Sequence, residues 1–291
     1  MKKIITFMFL TLLLISAKNV YATGMTPPSN DNRSIINKNN IVIDEELFLT
    51  LLDAGYTVDE VYNMTEAELE NANLTPVEAM TTKYIKTTTI TRGNDIISID
   101  EEVTKEEYDN SEKEIQIRAS GTSETTYKRM TATITTYNSS MMKYRNYLYW
   151  KQIPSNRSYD INAMGYESSY VKYASTINFY QMYTQNYVTT TSTGFYSKRT
   201  TTGAGASFQL PSGTITSLVS DMYIYVEKVN ANITITNLVG AGDYAHATSS
   251  VTSTQAQNYT INHVNGIVLD SSISNKYDSM SPAYVYWSGT W

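Results

Sequence analysis

From Thr125 to Trp291 the chain runs in short stretches of alternating apolar and polar residues, separated by turn formers. Candidate strands cover 126–136, 141–151, 158–166, 170–183, 186–197, 204–210, 221–229, 232–239, 243–252, 258–268 and 283–288. Turn signals fall between most of them, among them Asn138-Ser139-Ser140, Pro154-Ser155-Asn156, Pro211-Ser212-Gly213 and Gly240-Ala241-Gly242. A helical turn is expected at 214–219. This pattern predicts a mainly β fold, an antiparallel β-sandwich over 125–291, and not a parallel α/β sheet. With no cysteine in 291 residues, no disulfide can brace it, so packing must. Tyrosine supplies most of the aromatic surface, 25 residues against 6 Phe and 3 Trp. Tyr and Thr suit a pleated, half-buried surface.

The N-terminus has a different character. Lys2 and Lys3 precede an apolar run from Ile4 to Ala17, and Val20-Tyr21-Ala22 places small residues two apart. This is the pattern of a signal peptide (1–22) cleaved after Ala22, and it predicts a secreted, extracellular or cell-surface protein. Residues 23–43 read as a flexible leader rich in Asn and Pro. Residues 44–80 read as a small acidic helical region. Asp44 is placed to cap a helix that Gly55 ends, and Thr57 with Glu60 and Thr65 with Glu68 spell capping boxes. Residues 81–124 read as a hairpin turning at Arg92-Gly93-Asn94, followed by a solvated acidic linker over 100–114.

Charge divides unevenly along the chain. Residues 44–114 carry a balance of −14 and residues 115–291 one of +4, within a total of −6. The acidity argues against a nucleic-acid partner. The split raises the expectation that the acidic front lies over a basic surface of the rear.

That surface is legible in the hairpin 126–151. A loop at 138–140 sets Thr135 opposite Lys143, Thr133 opposite Arg145, Thr131 opposite Tyr147 and Arg129 opposite Tyr149. One face then holds Tyr127, Arg129, Lys143, Arg145, Tyr147, Tyr149 and Lys151. The other holds Met130, Ala132, Ile134, Met142, Tyr144, Leu148 and Trp150 and is expected to form core. The basic and aromatic plate has the chemistry to bind an anionic or glycan polymer. Guanidinium and ammonium groups pair with anions, and Tyr rings stack on sugar faces. The competing reading is a sheet face with ordinary cross-strand pairs.

Other motifs carry less. His246 and His263 are the only histidines, which makes zinc improbable, and His246 reads as packed or hydrogen-bonded. No cofactor motif is present: Gly203-Ala204-Gly205-Ala206 lacks a dinucleotide loop's third glycine and reads as a bulge or close backbone approach. Asp270, Asn275 and Asp278 offer oxygens to calcium at a spacing that matches no calcium loop, so turn capping is the simpler account. Asp160, Glu167, Asp221 and Glu227 are candidates for a hydrolytic carboxylate pair, which would have to converge. The Thr-rich stretch 184–202 leaves membrane contact by a pore-forming β-protein open, on weak support.

Gly203 to Pro211 (GAGASFQLP), Gly242 to Ala247 (GDYAHA) and the stretch from Asp270 to Asp278 resemble a group of uncharacterised secreted β-rich proteins of Gram-positive bacteria. The resemblance implies export and a β-rich domain; it implies no activity and transfers no site residue. The expectation is a non-enzymatic surface or matrix protein that binds cell-wall or carbohydrate polymer through the Tyr/Lys/Arg face. The pore-forming protein and the carboxylate-pair hydrolase are the alternatives. The sequence sets no oligomeric state.

Overall fold

A computed structural model describes residues 34–118, 121–186, 188–278 and 280–291. The signal-peptide expectation for 1–22 lies outside the described residues, as does most of the leader.

The described chain opens with a hairpin of β1 (Ile35–Ile36) and β2 (Val42–Ile43). Three helices follow, α1 (Glu45–Asp53), α2 (Val58–Asn63) and α3 (Glu66–Glu70). Then come β3 (Met80–Arg92), β4 (Asp95–Val103), helix α4 (Lys105–Asp109), β5 (Glu114–Arg118), β6 (Gly121–Asn138) and β7 (Met141–Trp150). The chain continues through β8 (Tyr159–Tyr166), β9 (Val171–Tyr173), β10 (Asn178–Gln185), β11 (Val188–Ser192), β12 (Tyr196–Thr200) and β13 (Gly203–Gln209). The last strands are β14 (Ile215–Lys228), β15 (Asn237–Ala245), β16 (Tyr259–Asn262), β17 (Gly266–Leu269) and β18 (Ala283–Ser288).

These elements form a mainly β, sandwich-like fold, 53% strand and 12% helix, with antiparallel sheets and no closed barrel. Sheet one runs β11-β10-β14-β7-β6-β3-β4, with β5 added to β6 and β9 to β14. Sheet two runs β12-β13-β8-β15-β18. The core between them takes Met130, Ala132, Ile134, Met142, Tyr144, Leu148 and Trp150 from the β6–β7 hairpin. Sheet two answers with Met164, Tyr166, Ala204, Phe208, Tyr244 and Val285. The hairpin register follows the alternation, with Thr135 opposite Lys143, Thr133 opposite Arg145, Thr131 opposite Tyr147 and Arg129 opposite Tyr149. A bulge between Thr136 and Asn138 replaces the regular pairing of Tyr137 with Met141.

Both outer faces are also covered. The helices lay Phe48, Leu51, Leu52, Val58, Val61, Met64 and Leu69 against Tyr147, Tyr149, Met182 and Val219 on the outside of sheet one. The β16–β17 hairpin and its flanking loops pack Tyr259, Ile261, Ile273 and Tyr277 on the outside of sheet two, over Ile161 and Ala163. The helices begin where their caps stand. Asp44 accepts from the Leu47 amide, and both capping boxes form. Gly55 ends the first turn region at φ +98°, a conformation a side chain would strain.

Five expectations give way to the structure. Residues 34–43 are no flexible leader: Ile35 and Ile43 are buried, and Asn37 donates to the Met64 carbonyl at 2.7 Å. The 81–104 hairpin joins the main sheet, because β3 pairs with β6 along almost its whole length. The acidic stretch 100–114 is no bare linker, since Thr104 caps α4 and Tyr108 is buried. Residues 215–219 of the expected helical turn belong to β14; there β14 bonds β10, and from Leu218 it bonds β7 as well. Gly240-Ala241-Gly242 sits inside β15, not at a turn. A Cβ at Gly242 would lie 2.4 Å from Asn146 Oδ1 and 2.7 Å from Ala132, so these glycines let two sheets approach. Gly203 and Gly205 do the same beneath Ile261, which is the close approach expected of them.

Candidate functional site

The seven plate residues lie on one face of β6 and β7, as the alternation requires. The structure divides them into a covered part and an open end. Arg129 donates from Nη2 to both oxygens of Asp53 on α1, each at 2.6 Å. The Tyr147 hydroxyl donates to the same carboxylate. Arg145 donates from Nε to Asp221 Oδ1 at 2.7 Å and from Nη1 to the Leu52 carbonyl at 3.1 Å. Tyr149 is buried in the apolar layer beneath the helices. Tyr127 is buried, and Lys151 is held by the carbonyls of Tyr108 and Asp109 at the α4 end. Six of the seven expected ligand residues are therefore covered in the folded chain, four of them by the α1–α3 layer. The seven apolar side chains that seal this layer stabilise it by on the order of 10 kcal/mol, so a polymer would not readily displace it.

Lys143 marks the open end. Its ammonium lies 4.7 Å from the ring centroid of Tyr223, and burial, reinforced by neighbouring Arg145, lowers its pKa to about 8. Tyr223 and Tyr225 come from β14, opposite Arg145 and Lys143. Their rings sit edge to face at 5.8 Å, and the exposed Tyr137 ring lies 4.3 Å from Tyr225. Tyr137, Tyr225, Tyr223 and Lys143 thus make a stepped row on the helix-side face of sheet one, exposed at Tyr137 and half-buried at the other three. Sequence reasoning missed Tyr223 and Tyr225 because the β14–β7 pairing spans some 80 residues of chain. The signal was the run MYIYVEK, where Met222, Ile224 and Val226 alternate into the core.

A second polar assembly lies between the sheets. Asp160 on β8 accepts from the Tyr244 hydroxyl at 2.5 Å, approaches His246 Nδ1 at 3.0 Å and accepts the Ala247 amide at 2.9 Å. His246 is therefore hydrogen-bonded and packed, its ring 5.0 Å from that of Trp150. Lys128, on the core face of β6, donates to Asp278 and lies 3.5 Å from Asp100. Lys128 was absent from the expected core face because its neighbours there are all apolar.

The remaining candidates separate. Asp278 is turned into the core, while Asp270 caps the Ser272 amide at the surface as the turn-capping reading expected, so the two carboxylates do not converge on a calcium site. Asp160 faces the core, Asp221 faces the helices, and Glu227 pairs with Lys172 at 3.1 Å at the surface. The four acids, Glu167 included, form no converging pair with room for a substrate. No helix among the described residues is long and apolar enough to cross a membrane. A shallow cleft of about 360 Å³ is lined by Lys113, Lys151 and Arg157, whose cations are each engaged by backbone carbonyls. The fold and its open row define a class, a sandwich-like antiparallel β-protein with a helical outer layer and an aromatic surface step. No family model and no curated protein matches the chain.

Proposed function

We propose that this chain is an exported, non-enzymatic surface or matrix protein that binds cell-wall or carbohydrate polymer through Tyr137, Tyr225, Tyr223 and Lys143. The observation that carries the reading is the stacked row of Tyr137, Tyr225 and Tyr223 beside Lys143, exposed at its Tyr137 end. Tyr rings offer flat apolar faces to sugar C–H groups while their hydroxyls stay wet. The ammonium supplies an anchor for a phosphate or carboxylate on the same polymer. The pattern from Lys2 to Ala22, and the likeness to secreted Gram-positive proteins, support export to where such polymers lie. The site is a modification of the original plate. It keeps the same sheet face but moves to the end the helices leave free.

The test is retention on purified Gram-positive cell wall. A Tyr223→Ala/Tyr225→Ala variant should bind roughly five- to a hundredfold more weakly, in line with about 1–3 kcal/mol for lost aromatic contacts. Equal retention with an unchanged circular dichroism spectrum would overturn the reading. Lys143→Gln should weaken binding to wall carrying teichoic acid more than to wall stripped of it. Because burial holds Lys143 at about 8, anionic-polymer binding should fall as pH rises through that value.

A further inference from the structure

Lys128 is the one cation on the inner face of β6, where Met130, Ala132 and Ile134 otherwise meet the core. Its side chain and that of Asp278 are both fully buried. An ion pair so enclosed stabilises a fold no better than well-packed apolar residues would. The arrangement around it is more specific than charge neutralisation needs. Lys128 Nζ donates to Asp278 Oδ2. Asp278 Oδ1 accepts the His246 backbone amide at 2.6 Å. Asp100 Oδ1 stands 3.5 Å from Nζ and accepts the Thr87 hydroxyl at 2.5 Å. Asp100 Oδ2 is buried and meets no donor among the described residues. The Trp150 ring closes one side, its centroid 5.1 Å from Nζ.

We propose that Lys128 and Asp278 condense into an intramolecular isopeptide bond, with Asp100 carrying the proton and the His246 amide holding the developing oxyanion. The constellation supplies a nucleophile, an electrophile, a proton carrier and an oxyanion donor within one water-excluded space. A proton first passes from the Lys128 ammonium to the Asp278 carboxylate, giving neutral amine and neutral acid. Burial pushes the Asp278 carboxyl up to about 7; burial also works against the Lys128 ammonium, but the Asp100 and Asp278 charges more than offset it and raise its pKa, so the neutral pair is the minor form from which the reaction proceeds. The Nζ lone pair then attacks Asp278 Cγ, and the C=O π pair moves onto Oδ1 beside the His246 amide. Asp100 takes a proton from the now cationic nitrogen and delivers it to the Oδ2 hydroxyl. The C–Oδ2 bond breaks, water leaves with that pair, and the Oδ1 pair restores the carbonyl. The products are a secondary amide and one water, and Asp100 returns to its starting state. No oxidant or co-reactant is needed.

The bond would join residues 150 positions apart, closing a long loop between β6 and the segment before β18. A chain without cysteine would thereby gain a covalent brace that no reductant opens.

The decisive experiment is the intact mass of the purified full chain in denaturing solvent, compared with the sequence mass from its mapped N-terminus. The expected result is a deficit of one water, with a branched peptide containing both Lys128 and Asp278 after proteolysis. A full sequence mass, or a water loss mapped to other residues, would overturn the proposal. Asp100→Asn should fold with the native circular dichroism spectrum and keep its full mass; a folded variant that still loses water would remove Asp100 from the reaction. Lys128→Met, which has no amine to condense, should keep its full mass in denaturing solvent; a water loss that persists in this variant would overturn the proposal.

Discussion

Arg145 and Asp221 meet diagonally across β7 and β14, with Nε to Oδ1 at 2.7 Å and Nη2 to Oδ2 at 3.0 Å. Both side chains are buried, and Asp221 Oδ2 also accepts the Val58 amide at the start of α2. One carboxylate thus binds a sheet cation and a helix that covers it. Removing it leaves a guanidinium buried without its counter-charge. Asp221→Ala should cost about 3–5 kcal/mol by urea unfolding, whereas Arg145→Met/Asp221→Leu should recover much of that loss. Costs that simply add in the double variant would show that the two groups act independently.

His246 sets a pH dependence. Burial alone would lower its pKa, but Asp160 beside Nδ1 more than offsets this, so the folded value is raised above 6.5. The folded chain then holds a proton that the unfolded chain releases sooner. The stabilisation is fully present below pH 6.5 and is lost as pH rises through the folded value. The urea midpoint should therefore fall as pH rises above 6.5, and Asp160→Asn should flatten that slope while lowering the midpoint throughout. A midpoint that climbs over this range would contradict the assignment.

Alternation made the β6–β7 register legible, because a slip of one residue would send Met130 and Leu148 to the wrong face. Capping chemistry made α1 to α3 legible, because Asp44, Thr57 and Thr65 satisfy amides only at helix starts. The plate misled for a physical reason. A polar alternation shows which residues share a face, not whether water or protein covers it. Arg129 and Arg145 are tolerated in the interior because Asp53 and Asp221, distant in sequence, come to meet them. Gly240 and Gly242 misled likewise, since a glycine needed for close sheet contact looks the same in sequence as one needed for a turn. Lys128 and Asp278 were beyond reach because their meeting depends on how two separate segments of chain pack.

Gly242 offers a direct check on that packing. A methyl group there collides with Asn146 and Ala132, both in strands that cannot yield without moving the sheet. Gly242→Ala should cost about 1–3 kcal/mol in thermal or urea unfolding. Gly194→Ala, whose Cβ would meet nothing closer than Ser192 Oγ at 3.7 Å, should stay within about 0.5 kcal/mol. Equal effects at the two positions would mean that sheet contact is not what Gly242 protects.

Among the described strands β4 pairs only with β3, and no described strand bonds its other edge. Ile97 and Ile99 project from its helix-side face, each 55% exposed, and Ile117 on β5 is 84% exposed from the opposite face. An open edge with exposed isoleucines invites pairing between copies. Asp95, Glu101 and Glu102 on the same strand oppose that pairing by repulsion between like edges. Salt screens such repulsion, while apolar contact survives it. Light scattering should therefore show self-association growing with sodium chloride concentration, and Ile97→Lys/Ile99→Lys should suppress it. The substitutions touch solvent rather than core, so stability should change by no more than about 0.5 kcal/mol. Association that weakens with salt would instead mark charge pairing between copies as the cause.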